Sequence, residues 1–220
     1  VNFIDAPSPN FNDRKRAIRF VVLHYTGMET GVVAQERMCD PAAQVSAHYM
    51  VEEDGRVFRL VEEDRRAWHA GVSSWQGETD INSASIGIEI VNGGHDFGLP
   101  EFPAVQIEAV IGLVRAVMDR HGVSARDVIG HSDIAPGRKQ DPGEKFPWQA
   151  LAEAGCALAV PDGVGVSGDP AELLQRIGYG VEPGLEEVVA AFQRRFRPVK
   201  ITGQLDEETQ NLICRVARQP

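Results

Sequence analysis

Three side chains within residues 130–143, GHSDIAPGRKQDPG, could do chemistry together: the imidazole of His131, the ammonium of Lys139 and the carboxylate of Asp141. Gly and Pro crowd this stretch, so turn chemistry should fix its backbone, and such a loop can aim several side chains at one point. His131 and Asp141 are zinc-ligand types, but zinc is usually held by three or four protein groups. A third ligand must come from elsewhere in the chain.

His24 is the candidate. It lies near the end of residues 19–27, RFVVLHYTG, a β-branched and aromatic run that predicts a strand buried on both faces. In open α/β sheets the carboxyl edge of the strands is where sites form, which makes His24 a candidate ligand, but for an isolated His in a strand the hydrogen-bonded core reading is preferred. For His48, at the start of a later strand, the structural reading is preferred. Residues 85–92, SIGIEIVN, supply a further group. Period-2 alternation places Ile86, Ile88 and Ile90 on one face and Ser85, Gly87, Glu89 and Val91 on the other. Glu89 is then a carboxylate in mid-strand on a face cleared by Gly87, and central strands seldom carry one without a partner.

Together these groups are the parts of a metal-assisted amide hydrolase. Two His and one Asp leave zinc a fourth position for water, whose pKa falls toward 7 at such a site. Glu89 could take the water proton and pass it to the leaving amine, and Lys139 could stabilise the oxyanion on the scissile carbonyl. Ligands gathered from distant segments have no diagnostic spacing, so the pattern alone is suggestive.

The elements that must position these groups are expected as follows. Residues 1–17, with Pro7, Pro9, Asn10, Asn12 and Asp13, predict a surface arm. A short helix at 32–39 ends at Asp40-Pro41. Residues 47–51 and 56–61 flank Asp54-Gly55 and predict an antiparallel hairpin. Residues 65–84 predict a long functional loop with Trp68, His69 and Trp75, either stacking on a sugar or peptide or covering the core. Residues 104–121 carry apolar positions at helical spacing with Gly122 as the stop, and 126–130 form a short strand that delivers His131. A helix follows from about Phe146. Residues 160–168 are a linker by composition, and three amphipathic helices fill the remainder. The fold class is α/β, a mixed central sheet flanked by helices, with a catalytic domain at 1–160 and a small three-helix domain at 168–220.

Composition excludes several classes. The formal net charge of −10 argues against nucleic acid, which needs clustered Lys and Arg. No apolar run approaches the roughly 18 residues of a membrane span. Cys39, Cys156 and Cys214 are odd in number and widely spaced, fitting neither a disulfide framework nor a thiolate zinc site, and are expected to be buried apolar residues. Residues 1–18 carry neither the basic segment nor the apolar stretch of a secretory signal, so a cytoplasmic location is expected, with the periplasm or envelope as the alternative had a signal been removed upstream of Val1. A monomer is expected.

The segments VVLHYT, WHAG, SIGIEI and GHSDIAPGRKQDPG resemble those of the zinc-dependent N-acetylmuramoyl-L-alanine amidases of the type 2 amidase family, in its AmpD- and AmiD-like branch, over roughly residues 18–158. The resemblance implies one zinc per chain on His24, His131 and Asp141, with Glu89 and Lys139 as the catalytic pair. It implies hydrolysis of the amide between the lactyl group of N-acetylmuramic acid, or its 1,6-anhydro form, and L-Ala of the stem peptide. His69, Ala70, Gly71 and Trp75 would be its muropeptide-contacting loop, and the C-terminal helices resemble a peptidoglycan-binding domain. The alternatives are a non-catalytic peptidoglycan-recognition protein, which loss of a ligand would mark, and a structural zinc protein, which would need a closed fourth ligand.

Overall fold

The computed structural model describes residues 2–218. In chain order the elements are β1 (Phe3–Asp5), β2 (Phe11–Asp13), β3 (Phe20–Tyr25), α1 (Gly31–Cys39), β4 (Tyr49–Val51), β5 (Val57–Arg59), β6 (Arg65–Ala67), α2 (Ile81–Ala84), β7 (Ser85–Ile90), α3 (Ala104–His121), β8 (Val128–Gly130), α4 (His131–Ile134), α5 (Trp148–Glu153), α6 (Pro170–Ile177), α7 (Leu185–Phe196) and α8 (Glu207–Val216). A mixed sheet of order β1-β5-β4-β7-β3-β8 forms the centre, with β4 and β5 antiparallel and the other neighbours parallel. The expected hairpin is there, and Gly55 takes the positive φ of 85° that its turn requires.

The strand alternation divides the sheet's two faces as the sequence implies. Val21, Leu23, Ile86, Ile88 and Ile90 pack under α3 through Ile107, Val110, Leu113, Val114 and Val117. Each such side chain contributes roughly 1.5–3 kcal/mol by leaving water. Within α3, Val105 points outward, while Gln106 is buried and its amide donates to the Val51 and Val91 carbonyls, tying the helix to two strand ends. Gly122 ends the helix in a left-handed conformation, its N–H bonded to the Met118 carbonyl.

On the opposite face, Phe20, Val22 and Ile129 share one apolar cluster with Ile134, Trp75 and the inward sides of the C-terminal helices, among them Leu174, Val188, Val189 and Phe192. Composition marks a linker at 160–168, yet the helices after it close the same core. Asp169 caps α6 by accepting from the Ala171 and Glu172 amides.

Two expectations need correction. Residues 1–17 are tied down: β1 pairs with β5, β2 pairs with β6, and buried Asn10 donates to the Met38, Asp40 and Val45 carbonyls. Three-residue strands interrupted by Pro leave no periodicity to read. Cys156 is buried, but Cys39 and Cys214 are half-buried; all three are free thiols. Among the described residues no helix is long and apolar enough to cross a membrane.

Candidate metal centre

Parallel pairing sets His24 beside Glu89 in register, both at the carboxyl end of their strands and on the face opposite α3. β8, on the other side of β3, then runs straight into α4, whose first residue is His131. The stretch expected as a loop begins with this helical turn. The Ser132 amide donates to the Asp141 carbonyl at 2.8 Å, folding the far end of the loop back onto the turn.

The result is a convergence of three donor atoms. His24 Nδ1 lies 2.9 Å from His131 Nδ1 and 3.0 Å from Asp141 Oδ2, and His131 Nδ1 lies 2.9 Å from the same Oδ2. All three residues are buried. Among the described residues they form the one group of three or more His, Cys, Asp or Glu side chains arranged to hold a metal ion.

Hydrogen-bond partners assign the protons on both imidazoles. His131 Nε2–H donates to the Ala70 carbonyl at 3.0 Å, which leaves Nδ1 with a lone pair. For His24 the assignment runs through a chain. Ser85 Oγ–H donates to the Ile81 carbonyl at 2.6 Å, so Oγ accepts from His69 Nε2–H at 3.2 Å. His69 Nδ1 then accepts from His24 Nε2–H at 3.0 Å, leaving His24 Nδ1 unprotonated. Two nitrogen lone pairs and a carboxylate thus face one another with no proton between them. Such a donor set repels itself unless a cation sits among it, and His₂Asp is a zinc-type set with a position to spare. The residues fit the metal.

The titration shifts agree with this assignment. Burial, then the neighbouring His131, lower the His24 pKa to about 4, so its imidazole is neutral. Burial, then the charge of Asp141, raise Glu89 well above the usual carboxylate range, while Lys139 pulls it down. Glu89 Oε2 is buried with no hydrogen-bond partner among the described residues. A cleft of about 320 Å³, lined by Thr26, Met28, Arg37 and Val45, opens against Glu89. Lys139 is exposed, and its charge reaches both His24 and Glu89.

The 69–75 loop departs from the expected substrate surface. His69 is buried and turned inward onto His24, in space that Gly87 leaves: a Cβ at 87 would meet the His69 Cγ at 2.5 Å. Ala70 is buried, and its carbonyl orients His131. Trp75 is 2% exposed and packs edge-on against Tyr179, so its ring covers the core and cannot stack on a sugar. Gly71 and Val72 do face solvent. His48 is structural as expected, with Nδ1 accepting from the Gly87 amide at 2.9 Å. Residues whose part was not foreseen are Asn82, whose Oδ1 accepts from the His69 and Ala70 amides, and Arg138, which donates to the Ala70 carbonyl at 2.7 Å. The polar Asn in the capped turn of α2 was the available signal for the first; Arg138 gave none.

Comparison with known proteins converges on one family. Residues 14–144 match the Amidase_2 family, N-acetylmuramoyl-L-alanine amidase. N-acetylmuramoyl-L-alanine amidase AmiD of Escherichia coli is 37% identical, covering 88% of this chain and 80% of that protein. A solved structure of E. coli AmiD with the substrate anhydro-N-acetylmuramic acid-L-Ala-D-γ-Glu-L-Lys superposes with a TM-score of 0.81 at 34% identity, over 95% of this chain and 97% of the other. AmpDh3 from Pseudomonas aeruginosa, solved with anhydromuramic pentapeptide, gives 0.83 at 34% identity over 93% of each chain.

Proposed function

The chain belongs to the Amidase_2 family of N-acetylmuramoyl-L-alanine amidases, and we propose that it hydrolyses the amide joining the lactyl group of N-acetylmuramic acid to L-Ala, with zinc on His24, His131 and Asp141. The observation that carries this reading is the proton-free convergence of three donor atoms beside Glu89 Oε2, a buried carboxylate oxygen without a partner. When bound, zinc supplies Lewis acidity, to the scissile carbonyl and to a water.

The protein's own groups do the rest. Glu89 takes a proton from the attacking water and delivers it to the amine nitrogen as the C–N bond breaks. Its raised affinity for protons suits a group that must accept and return one near neutral pH. Lys139 brings positive charge toward the carbonyl oxygen as it becomes negative. His69 and Ala70 act behind the ligands, fixing which nitrogen of each imidazole carries the proton. The bound anhydro-muropeptides of both structural relatives favour a 1,6-anhydro substrate, in cell-wall recycling or turnover. Part of the same proposal is that residues 168–220 engage peptidoglycan; retention of the chain on purified sacculi would be the measurement.

Purified protein should release L-Ala-peptides from anhydro-muropeptides, lose that activity to a chelator and regain it with zinc. Binding without turnover at stoichiometric zinc would sink the enzyme reading and leave a recognition protein. A structural zinc site is disfavoured because the described ligand group has three members, not four.

A further inference from the structure

Asp133 lies two residues beyond the ligand His131 and is fully buried. Its carboxylate accepts from the Gly130 amide at 2.8 Å, closing the turn of α4. Its other partners come from across the linker. Tyr179 Oη–H donates to Oδ1 at 2.7 Å, and Arg195 donates to Oδ2 at 2.8 Å. The Arg195 and Asp133 side chains are 3% and 1% exposed. A second guanidinium nitrogen donates to the Val128 carbonyl in β8 at 3.0 Å, and the guanidinium stacks on Trp148 at 4.2 Å. One arginine on α7 therefore grips the strand that delivers His131 and the turn that carries it. Beside Asp133, Ile134 is buried among the side chains of α6 and α7, and its carbonyl accepts from the Ser74 amide.

A carboxylate this deep needs a cation and donors to remain charged. Arg195 is the cation that touches it, and Tyr179 is the remaining long-range donor. We infer that the C-terminal helices are a positioning element of the metal centre: through Arg195 and Tyr179 they hold the Asp133 carboxylate, and through it the α4 turn that presents His131 to His24 and Asp141. The zinc-affinity part of this inference rests on the function proposed above; the positioning itself does not.

The test uses the full chain, its metal-free form and four proteins: wild type, Tyr179→Phe, Arg195→Met, and Arg195→Met combined with Asp133→Asn. Methionine keeps an apolar stem over Trp148 while removing the charge, and asparagine can still accept from the Gly130 amide. Hydrogen exchange of the 130–134 amides, measured without metal, should speed up in Arg195→Met relative to the amides of β3 and β7. Zinc affinity, measured by competition with a chromogenic chelator, should fall about tenfold, within the range that outer-shell partners of metal sites show. The double variant should regain most of both, because the unpaired charge is gone. Unchanged exchange at 130–134, acceleration spread evenly over the sheet, or failure of the double variant to recover would each overturn the inference. Should Arg195→Met not fold, Tyr179→Phe decides, since it removes one hydroxyl: local acceleration at 130–134 supports the inference and none refutes it. Normal exchange changes with no zinc binding in the wild type would instead count against the metal reading alone.

Discussion

Asp133 and Asp141 sit in one Gly- and Pro-rich stretch, both buried, in environments of opposite kind. Around Asp133 every partner is a donor: an amide, a phenol and a guanidinium. Around Asp141 Oδ2 the partners are two nitrogen lone pairs. The first carboxylate is satisfied by the protein itself, and the second is left to the cation proposed above. Ligand and scaffold are thus told apart by what faces the oxygen, not by residue type or by position in the motif. Carboxylates ringed by donors should govern stability, and those facing acceptors should govern metal.

Replacing Asp141 tests the comparison at its strongest point. In Asp141→Asn the metal content of purified protein should drop from about one zinc per chain to near none, a larger loss than the 10- to 100-fold affinity change typical of outer partners, and turnover should go with it. Retained zinc, measured by elemental analysis, would break the distinction. Glu89, whose Oε2 has no hydrogen-bond partner among the described residues, should separate chemistry from metal: Glu89→Gln is expected to lower turnover by about 10²- to 10⁴-fold while zinc content stays unchanged, so metal loss in that variant would remove it from the base role.

A donor-ringed carboxylate remote from α4 gives the converse. Burial would raise the Glu63 carboxyl, but hydrogen bonds from Arg120, His121 and Tyr49 outweigh it and hold the pKa down to about 2. A group with a depressed folded pKa contributes stability above its unfolded value, near 4.5, and loses it as pH falls toward 2. Denaturant titrations of the wild type should therefore lose up to about 3 kcal/mol across that window relative to Glu63→Gln, with zinc content equal in the two proteins. Parallel pH profiles would refute the assignment. The smallest effect belongs to the exposed cap of α6. Asp169→Ala should cost about 1 kcal/mol in the same measurement and leave metal and turnover alone.

Much of the centre was legible in the sequence because strands impose simple geometry. Alternation and strand position made His24 and Glu89 candidates, the family resemblance supplied their expected roles, and the parallel register makes them neighbours. The 69–75 loop was not legible, because loop burial is decided by residues far along the chain. Trp75 looked like a stacking platform until Tyr179 covered it, and His69 looked like a surface group until the missing side chain at Gly87 let it turn inward. The division at 160–168 marks a change in composition, but apolar faces on both sides of it meet in one cluster that no local pattern could announce. The roles of Asp133 and Asp141 could not be separated by spacing, since the donors that distinguish them come from α7 and from Tyr179.

The chain from Ser85 through His69 to His24 ends at the Ile81 backbone carbonyl, an atom with no proton to give and no practical basicity to take one. As wiring for charge it is a blind alley. It can set the orientation of His24 but cannot ferry hydrogen ions between the metal side and bulk solvent, and Ser85, His69 and His24 are all sealed from water. In the mechanism proposed above, proton traffic is thereby left to the open side, where Glu89 meets the cleft. One wall of the centre is insulation, and the other is open.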